Sequence, residues 1–182
     1  MTSPLTALPP LVSSRTKLLI LGSFPGVASL KAQQYYGHPQ NHFWRILQAI
    51  WPSGHLDMRA TSYQNRSEWL LSKQLGVWDV YAACEREGSL DSNIRNAVLN
   101  DFSLLKELCP GLQAIAHNGG ESFRHAKHTM LLGLPVYKLP STSPANASWS
   151  FERKLAAWRE VFERNGLVQE PAAGGALDAS SG

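Results

Sequence analysis

Cys84 and Cys109 are the whole thiol complement of this 182-residue chain. An all-cysteine zinc site needs two closely spaced pairs, so neither a zinc ribbon nor a thiolate cluster is expected. Each cysteine reads as a small buried hydrophobe. Long apolar runs are also missing. None approaches the roughly 18 residues of a membrane span. The N-terminus lacks the basic-then-apolar layout of a secretory signal. The expectation is a soluble cytoplasmic protein, nucleoid-associated if the cell is bacterial, with no membrane partner. Charge of one sign is not extreme: the net charge is +3 and the pI is about 9.0. That balance is compatible with a nucleic-acid partner without requiring one. Between Ile20 and Ile46 there is no carboxylate and no thiol, so chemistry in that stretch has no strong side-chain base of its own.

That stretch is the most informative of the chain. The apolar run Leu18–Leu21 ends in Gly22-Ser23-Phe24-Pro25-Gly26, where two glycines and a proline call for a sharp turn. A polar and aromatic loop follows, carrying Tyr35, Tyr36 and His38, and a helix opens near Asn41. Four short apolar runs read as buried strands: Lys17–Leu21, Gly76–Val80, Leu112–Ala116 and Pro135–Leu139. Helical segments separate them, at Asn41–Trp51, Ser62–Leu75, from Asn100 or Asp101 to Leu108, at Gly119–Leu132 and at about Ser150–Asn165. Alternating strands and helices predict an α/β fold, a three-layer α/β/α sandwich around a central four-stranded, mostly parallel sheet. Right-handed crossovers then gather the loops Gly22–Gln40, Tyr81–Asn93, His117–Glu121 and Pro140–Trp149 on one rim. Residues 1–14 read as a flexible N-terminal arm, 15–168 as a single domain and 169–182 as a disordered tail. There is no internal repeat.

The rim loops carry a resemblance. Gly22-Ser23-Phe24-Pro25-Gly26 followed by Tyr35-Tyr36-Gly37-His38-Pro39-Gln40-Asn41-His42-Phe43-Trp44 resembles the first motif of the uracil-DNA glycosylase superfamily. Leu139-Pro140-Ser141-Thr142-Ser143-Pro144-Ala145-Asn146 resembles its second. Within it, the chain is most similar to the deoxyinosine (hypoxanthine-DNA) glycosylase branch, which Glu85–Asp91 and His117-Asn118-Gly119 also fit. The likeness covers about residues 15–165. It implies a monofunctional repair enzyme that hydrolyses the N-glycosidic bond of deaminated bases in DNA, chiefly hypoxanthine, and leaves an abasic site. No cofactor, no metal and a monomer are expected. Most of the superfamily places Asp or Asn at the third position of the first motif to hold the attacking water. Here that residue is Phe24, and the branch assigns the catalytic task to the residue that is Asn41 in this chain.

The chemistry of the side chains bears on these roles. The Gly22, Ser23, Phe24, Pro25 and Gly26 turn can present backbone N–H groups to a departing anionic base. Asn41 either orients the water, since an amide cannot deprotonate it, or only caps the helix. Tyr36 either stacks on the flipped base or packs beneath the turn. The Asn118 carboxamide either pairs with the donor and acceptor of a base edge or caps the next helix. His38 and the loop residues Ser141, Thr142, Ser143, Pro144 and Asn146 are candidates for DNA contacts. His117, His125 and His128 suggest a metal only weakly, because no fourth ligand is evident. Two other functions stay open: a mismatch-specific uracil or xanthine glycosylase, and a non-catalytic module that binds damaged DNA. A phosphate-binding reading of the turn is weaker, since the Gly-Lys-Ser/Thr ending is missing.

Overall fold

The computed structural model describes residues 3–52, 57 and 60–169. Strand β2 (Leu18–Gly22) is apolar up to its terminal glycine and buried throughout. It pairs in parallel with β3 (Leu75–Asp79) on one side and β6 (Ala114–Asn118) on the other. Strand β7 (Val136–Leu139) continues the sheet beyond β6, giving the order β3-β2-β6-β7 with every pairing parallel. A strand buried on both faces is continuous in hydrophobicity, which is why these runs stand out in the sequence.

Alternation along β2 divides two cores. Leu18 and Ile20 pack with Phe43, Leu47, Trp158 and Phe162. Leu19 and Leu21 pack with Trp78, Phe102, Leu105 and Ile115. Helices α2 (Phe43–Ile50), α3 (Tyr63–Ser72) and α7 (Phe151–Arg164) cover the first face. In α2 the apolar residues Phe43, Trp44, Ile46, Leu47 and Ile50 are buried, each worth about 1.5–3 kcal/mol against exposure. Ser62 and Ser150 cap α3 and α7, accepting from the N–H groups of Asn65 and Arg153. Helices α4 (Leu105–Leu108), α5 (Gly120–Phe123) and α6 (Ala126–Met130) lie on the second face. The three-layer α/β/α sandwich with its four-stranded parallel sheet is present as expected.

Several elements differ from expectation. The stretch expected as a flexible arm packs on the domain from Leu5 onward. Strand β1 (Leu5–Thr6) pairs antiparallel with β4 (Tyr81–Glu85). Leu11 and Val77 exchange two backbone hydrogen bonds of 2.9 Å, and Leu8 is buried. Regularly placed leucines bury apolar surface that the high Pro and Ser content obscures. The segment after β3, expected as a rim loop, begins as β4, which also pairs with β5 (Arg95–Leu99) in a small antiparallel sheet. The loop after β2 contains a short helix, α1 (Val27–Ala32). The single helix expected over Gly119–Leu132 is broken at Arg124-His125 into α5 and α6. The expected tail lies outside the described residues beyond position 169.

Candidate active site

The C-terminal ends of β2, β3, β6 and β7 open into one cleft of about 860 Å³, and all four rim segments line it. Such a position is where open α/β sheets bind ligands. The Gly22–Gly26 turn forms one wall. The N–H groups of Ser23, Phe24 and Gly26 meet no acceptor among the described residues. The turn is braced from behind. The Arg86 guanidinium donates to the Pro25 carbonyl at 2.6 Å and to Gly88 at 2.8 Å, and lies over the Phe24 ring at 5.2 Å. Phe24 itself packs in the second core and also lines the cleft. The Ser23 hydroxyl donates to Asp91 at 2.7 Å, and the Val27 N–H donates to the Ser89 hydroxyl at 2.9 Å. Between those two anchors Leu90 stands 52% exposed at the mouth of the cleft.

Asn41 lines the cleft at the start of α2. Its carbonyl oxygen accepts from the Phe43 N–H at 2.9 Å, so it braces the helix start, while its amide nitrogen has no partner among the described residues. Both readings of Asn41 are compatible with this geometry. His38 is exposed on the rim, its Nδ1 accepting from the Gln40 N–H at 3.1 Å. Tyr35 turns away: its hydroxyl donates to the Pro9 carbonyl at 2.7 Å and it is buried in the first core. Tyr36 has one ring face stacked on Phe43, with centroids 4.1 Å apart, and lines the cleft. Its backbone is left-handed, with φ of 54°, a strained state for a tyrosine that surrounding contacts must hold. Burial raises its phenol above the ordinary range, so the hydroxyl stays neutral.

Asn118 is the holding contact. Its amide donates to the Tyr36 hydroxyl at 3.1 Å and to Thr142 Oγ1 at 3.0 Å, and its carbonyl accepts from the Thr142 N–H at 3.0 Å. Both amide hydrogens and the carbonyl are therefore engaged within the protein. This arrangement departs from the expectation that the carboxamide reads a base edge with donor and acceptor together, and from a capping role for the next helix. Thr142 is likewise corrected as a DNA contact: it is fully buried, its hydroxyl and N–H bond to Asn118, and its carbonyl accepts from the His42 N–H at 3.0 Å. Ser141, Ser143, Pro144 and Asn146 remain at the rim, and the Asn146 amide closes the loop by donating to the Ser141 carbonyl at 3.1 Å. The approach of this loop depends on Gly119, whose φ is 96° and where a Cβ would come within 3.0 Å of Ser141 Cβ.

Two carboxylates complete the site, and one had been passed over in the sequence. Asp79 ends β3 beneath the cleft, 3% exposed, paired in register with Gly22. Burial, reinforced by the Asp91 charge and opposed by Arg86, pushes it up to about 7. Its signal was available: a single acid inside an otherwise apolar run. Asp91 sits on the rim. The histidines do not converge on a metal; no metal-binding group of His, Cys, Asp and Glu occurs among the described residues. His117 is buried between the Ser122 and Thr129 hydroxyls at 2.8 and 2.9 Å. His125 meets the Tyr81 hydroxyl at 2.8 Å.

The chain has relatives in both sequence and fold. Residues 9–162 match the uracil DNA glycosylase superfamily. A protein of Methanosarcina barkeri named hypoxanthine DNA glycosylase is 39% identical, over 86% of this chain and 96% of its own length. A protein of the same name from Methanosarcina acetivorans is 38% identical, over 85% and 95%. A solution NMR structure from M. acetivorans, described as a candidate uracil DNA glycosylase, superposes with a TM-score of 0.79 at 35% identity, covering 90% of this chain and 99% of the other.

Proposed function

This chain belongs to the uracil DNA glycosylase superfamily, and from that premise we propose that it is a monofunctional DNA glycosylase that removes hypoxanthine from deoxyinosine and leaves an abasic site. The observation that carries the reading is the junction of the Gly22–Gly26 turn, its unspent N–H groups and Asn41 in one cleft. The names of the two relatives favour hypoxanthine as the base.

The reaction needs the base out of the duplex, bound by its edge, with the C1′–N9 bond weakened. The sugar gains positive charge, which the DNA phosphates offset. The base gains negative charge, which the N–H groups of Ser23, Phe24 and Gly26 receive. Asn41 holds the attacking water with its free amide nitrogen while its carbonyl fixes the helix start. Tyr36, backed by Phe43, offers a ring for the extruded base to stack upon, a contact worth about 1–3 kcal/mol. His38, Ser141, Ser143, Pro144 and Asn146 flank the strand that is pulled in. Leu90, apolar and exposed at the mouth, fills the gap left in the base stack. The monofunctional reading rests on the first-motif turn, Gly22–Gly26, which contains no lysine to form a Schiff base. Lys31 does not line the cleft, and Lys138 lines it with its amine 5.6 Å from the Phe123 ring centroid. One chain supplies every rim segment, which supports the reading of a monomer acting on DNA. Among the described residues no helix is long and apolar enough to cross a membrane.

Uracil is the second reading, favoured by the description of the solved relative. Duplexes holding a single deoxyinosine, deoxyuridine or deoxyxanthosine, treated with protein and then alkali, separate the cases. Breaks chiefly at deoxyinosine are expected. Breaks chiefly at deoxyuridine would move the assignment to uracil, and binding without breaks would make the protein a damage-binding module.

A further inference from the structure

We infer that Asp79 in its neutral acid form is a catalytic residue, donating a hydrogen bond to the departing base from the floor of the cleft. The inference rests on the glycosylase reading and adds to it a group that lies in neither sequence motif.

The placement is specific. A Cβ built on Gly22 would lie 2.6 Å from Asp79 Oδ1 and 3.1 Å from the Tyr36 hydroxyl. The first-motif turn, the stacking tyrosine and this carboxyl thus meet at one point, and the absence of a side chain at position 22 is what lets them. The other oxygen, Oδ2, is buried and has no hydrogen-bond partner among the described residues. A buried polar oxygen without a partner is costly unless something binds it. Asp79 is a lining residue of the cleft that takes the base.

The surroundings favour the neutral acid. Asp91, from the loop after β4, adds repulsion. Arg86, just after β4, adds attraction, the smallest of the three influences. Its Nε and Nη2 donate to the Gly88 and Pro25 carbonyls, and Nη1 has no partner among the described residues. Tyr36 and Tyr35, on the loop after α1, have phenols raised by burial and carry no charge to offset an ionised Asp79. Burial is the largest influence, and the carboxyl titrates at about 7. An ionised carboxylate here would repel a base leaving with negative charge. The acid form instead points an O–H at it, as a carboxylic acid held neutral in an apolar site can do for an oxyanion.

In the step itself the C1′–N9 electron pair goes to the base, and the water oxygen bonds to C1′. The water proton passes to solvent, and the base anion takes one up from solvent after release. Asp79 keeps its proton and lends only the hydrogen bond, to the O6 side of hypoxanthine, where charge accumulates.

The test is single-turnover release of hypoxanthine from a deoxyinosine duplex between pH 5.5 and 9, for the wild-type chain, Asp79→Asn and Asp79→Ala, with thermal melts of all three. The wild-type rate should fall as pH rises through about 7. Asp79→Asn keeps a donor that cannot ionise, so it should retain activity and lose the alkaline decline. Asp79→Ala should be slower at pH 6 by about 100-fold, the usual effect of removing one such donor. A wild-type rate that is flat or rises through pH 7 overturns the inference, even if a variant fails to fold. So does a folded Asp79→Ala with full activity, or an Asp79→Asn that keeps the wild-type alkaline decline. No release by the wild-type chain at any pH would count against the glycosylase reading instead.

Discussion

The Asn118 amide donates to the Tyr36 hydroxyl at 3.1 Å, joining the end of β6 to the loop that follows α1. Through the same side chain Tyr36 is tied to Thr142 on the fourth rim segment. A strained left-handed tyrosine is thereby fixed at the wall of the cleft. Asn118→Ala should strip the Thr142 N–H of its acceptor and the Tyr36 hydroxyl of its donor, costing about 1–3 kcal/mol of stability. Because the role is bracing, its activity should fall by a similar factor on deoxyinosine and deoxyuridine duplexes. A change in the ratio of the two rates, measured under single turnover, would instead indicate that Asn118 reads the base.

Asn41 both supports a helix and faces the cleft, and two substitutions separate these tasks. Asn41→Ala should slow base release on the order of ten- to thousand-fold and lower stability by about 1 kcal/mol. Asn41→Ser keeps an oxygen to accept from the Phe43 N–H. Its melting temperature should recover while its rate stays low. Recovery of the rate in Asn41→Ser would make helix support the whole function of this residue.

Leu90 should matter for duplex DNA and little for single strands, where no stack has to be opened. Leu90→Ala is expected to reduce the duplex rate about tenfold, about 1.4 kcal/mol in the barrier, with the single-strand rate nearly unchanged. Equal losses on both substrates would place Leu90 in the cleft wall rather than in the stack. Its position between Ser89, bonded to the start of α1, and Asp91, bonded to the first-motif turn, is what keeps it at the mouth.

The parallel sheet was legible because each central strand is an unbroken apolar run, and the turn after β2 because Gly22, Pro25 and Gly26 leave few backbone choices. The pairing of β1, β4 and β5 was not. Arg95–Leu99 is mostly exposed and carries no clean alternation, so its strand character comes from its partner. The residues of the two motifs could be placed on one rim from topology alone. Their division into contacts and braces could not, because Asn118 and Thr142 are equally polar whether they face a ligand or each other. Asp79 escaped notice for a related reason. Its role depends on its neighbours across β2 and on the loops, and a lone acid in a strand says nothing of them.

His117 gives the fold a pH dependence separate from catalysis. Burial between two hydroxyls holds its pKa down to about 4, against 6.5 for an ordinary histidine. The unfolded chain therefore binds the extra proton first. The stabilisation is complete above about 6.5 and is lost as pH falls from there toward 4, amounting to on the order of 3 kcal/mol. Urea unfolding at pH 7 and pH 4.5 should show this decline, and His117→Gln should flatten it. An unchanged pH dependence in that variant would mean that other groups govern acid stability.

The central claim is that this cleft breaks the bond between deoxyribose and hypoxanthine without cutting the strand. Its most direct test is chromatography of the free base released from a duplex with one deoxyinosine, set against alkali-labile and spontaneous strand breaks in the same sample. Free hypoxanthine in equal amount to the alkali-labile sites, with the strand intact before alkali, is the predicted result. No free hypoxanthine, or strand scission without alkali, would contradict it.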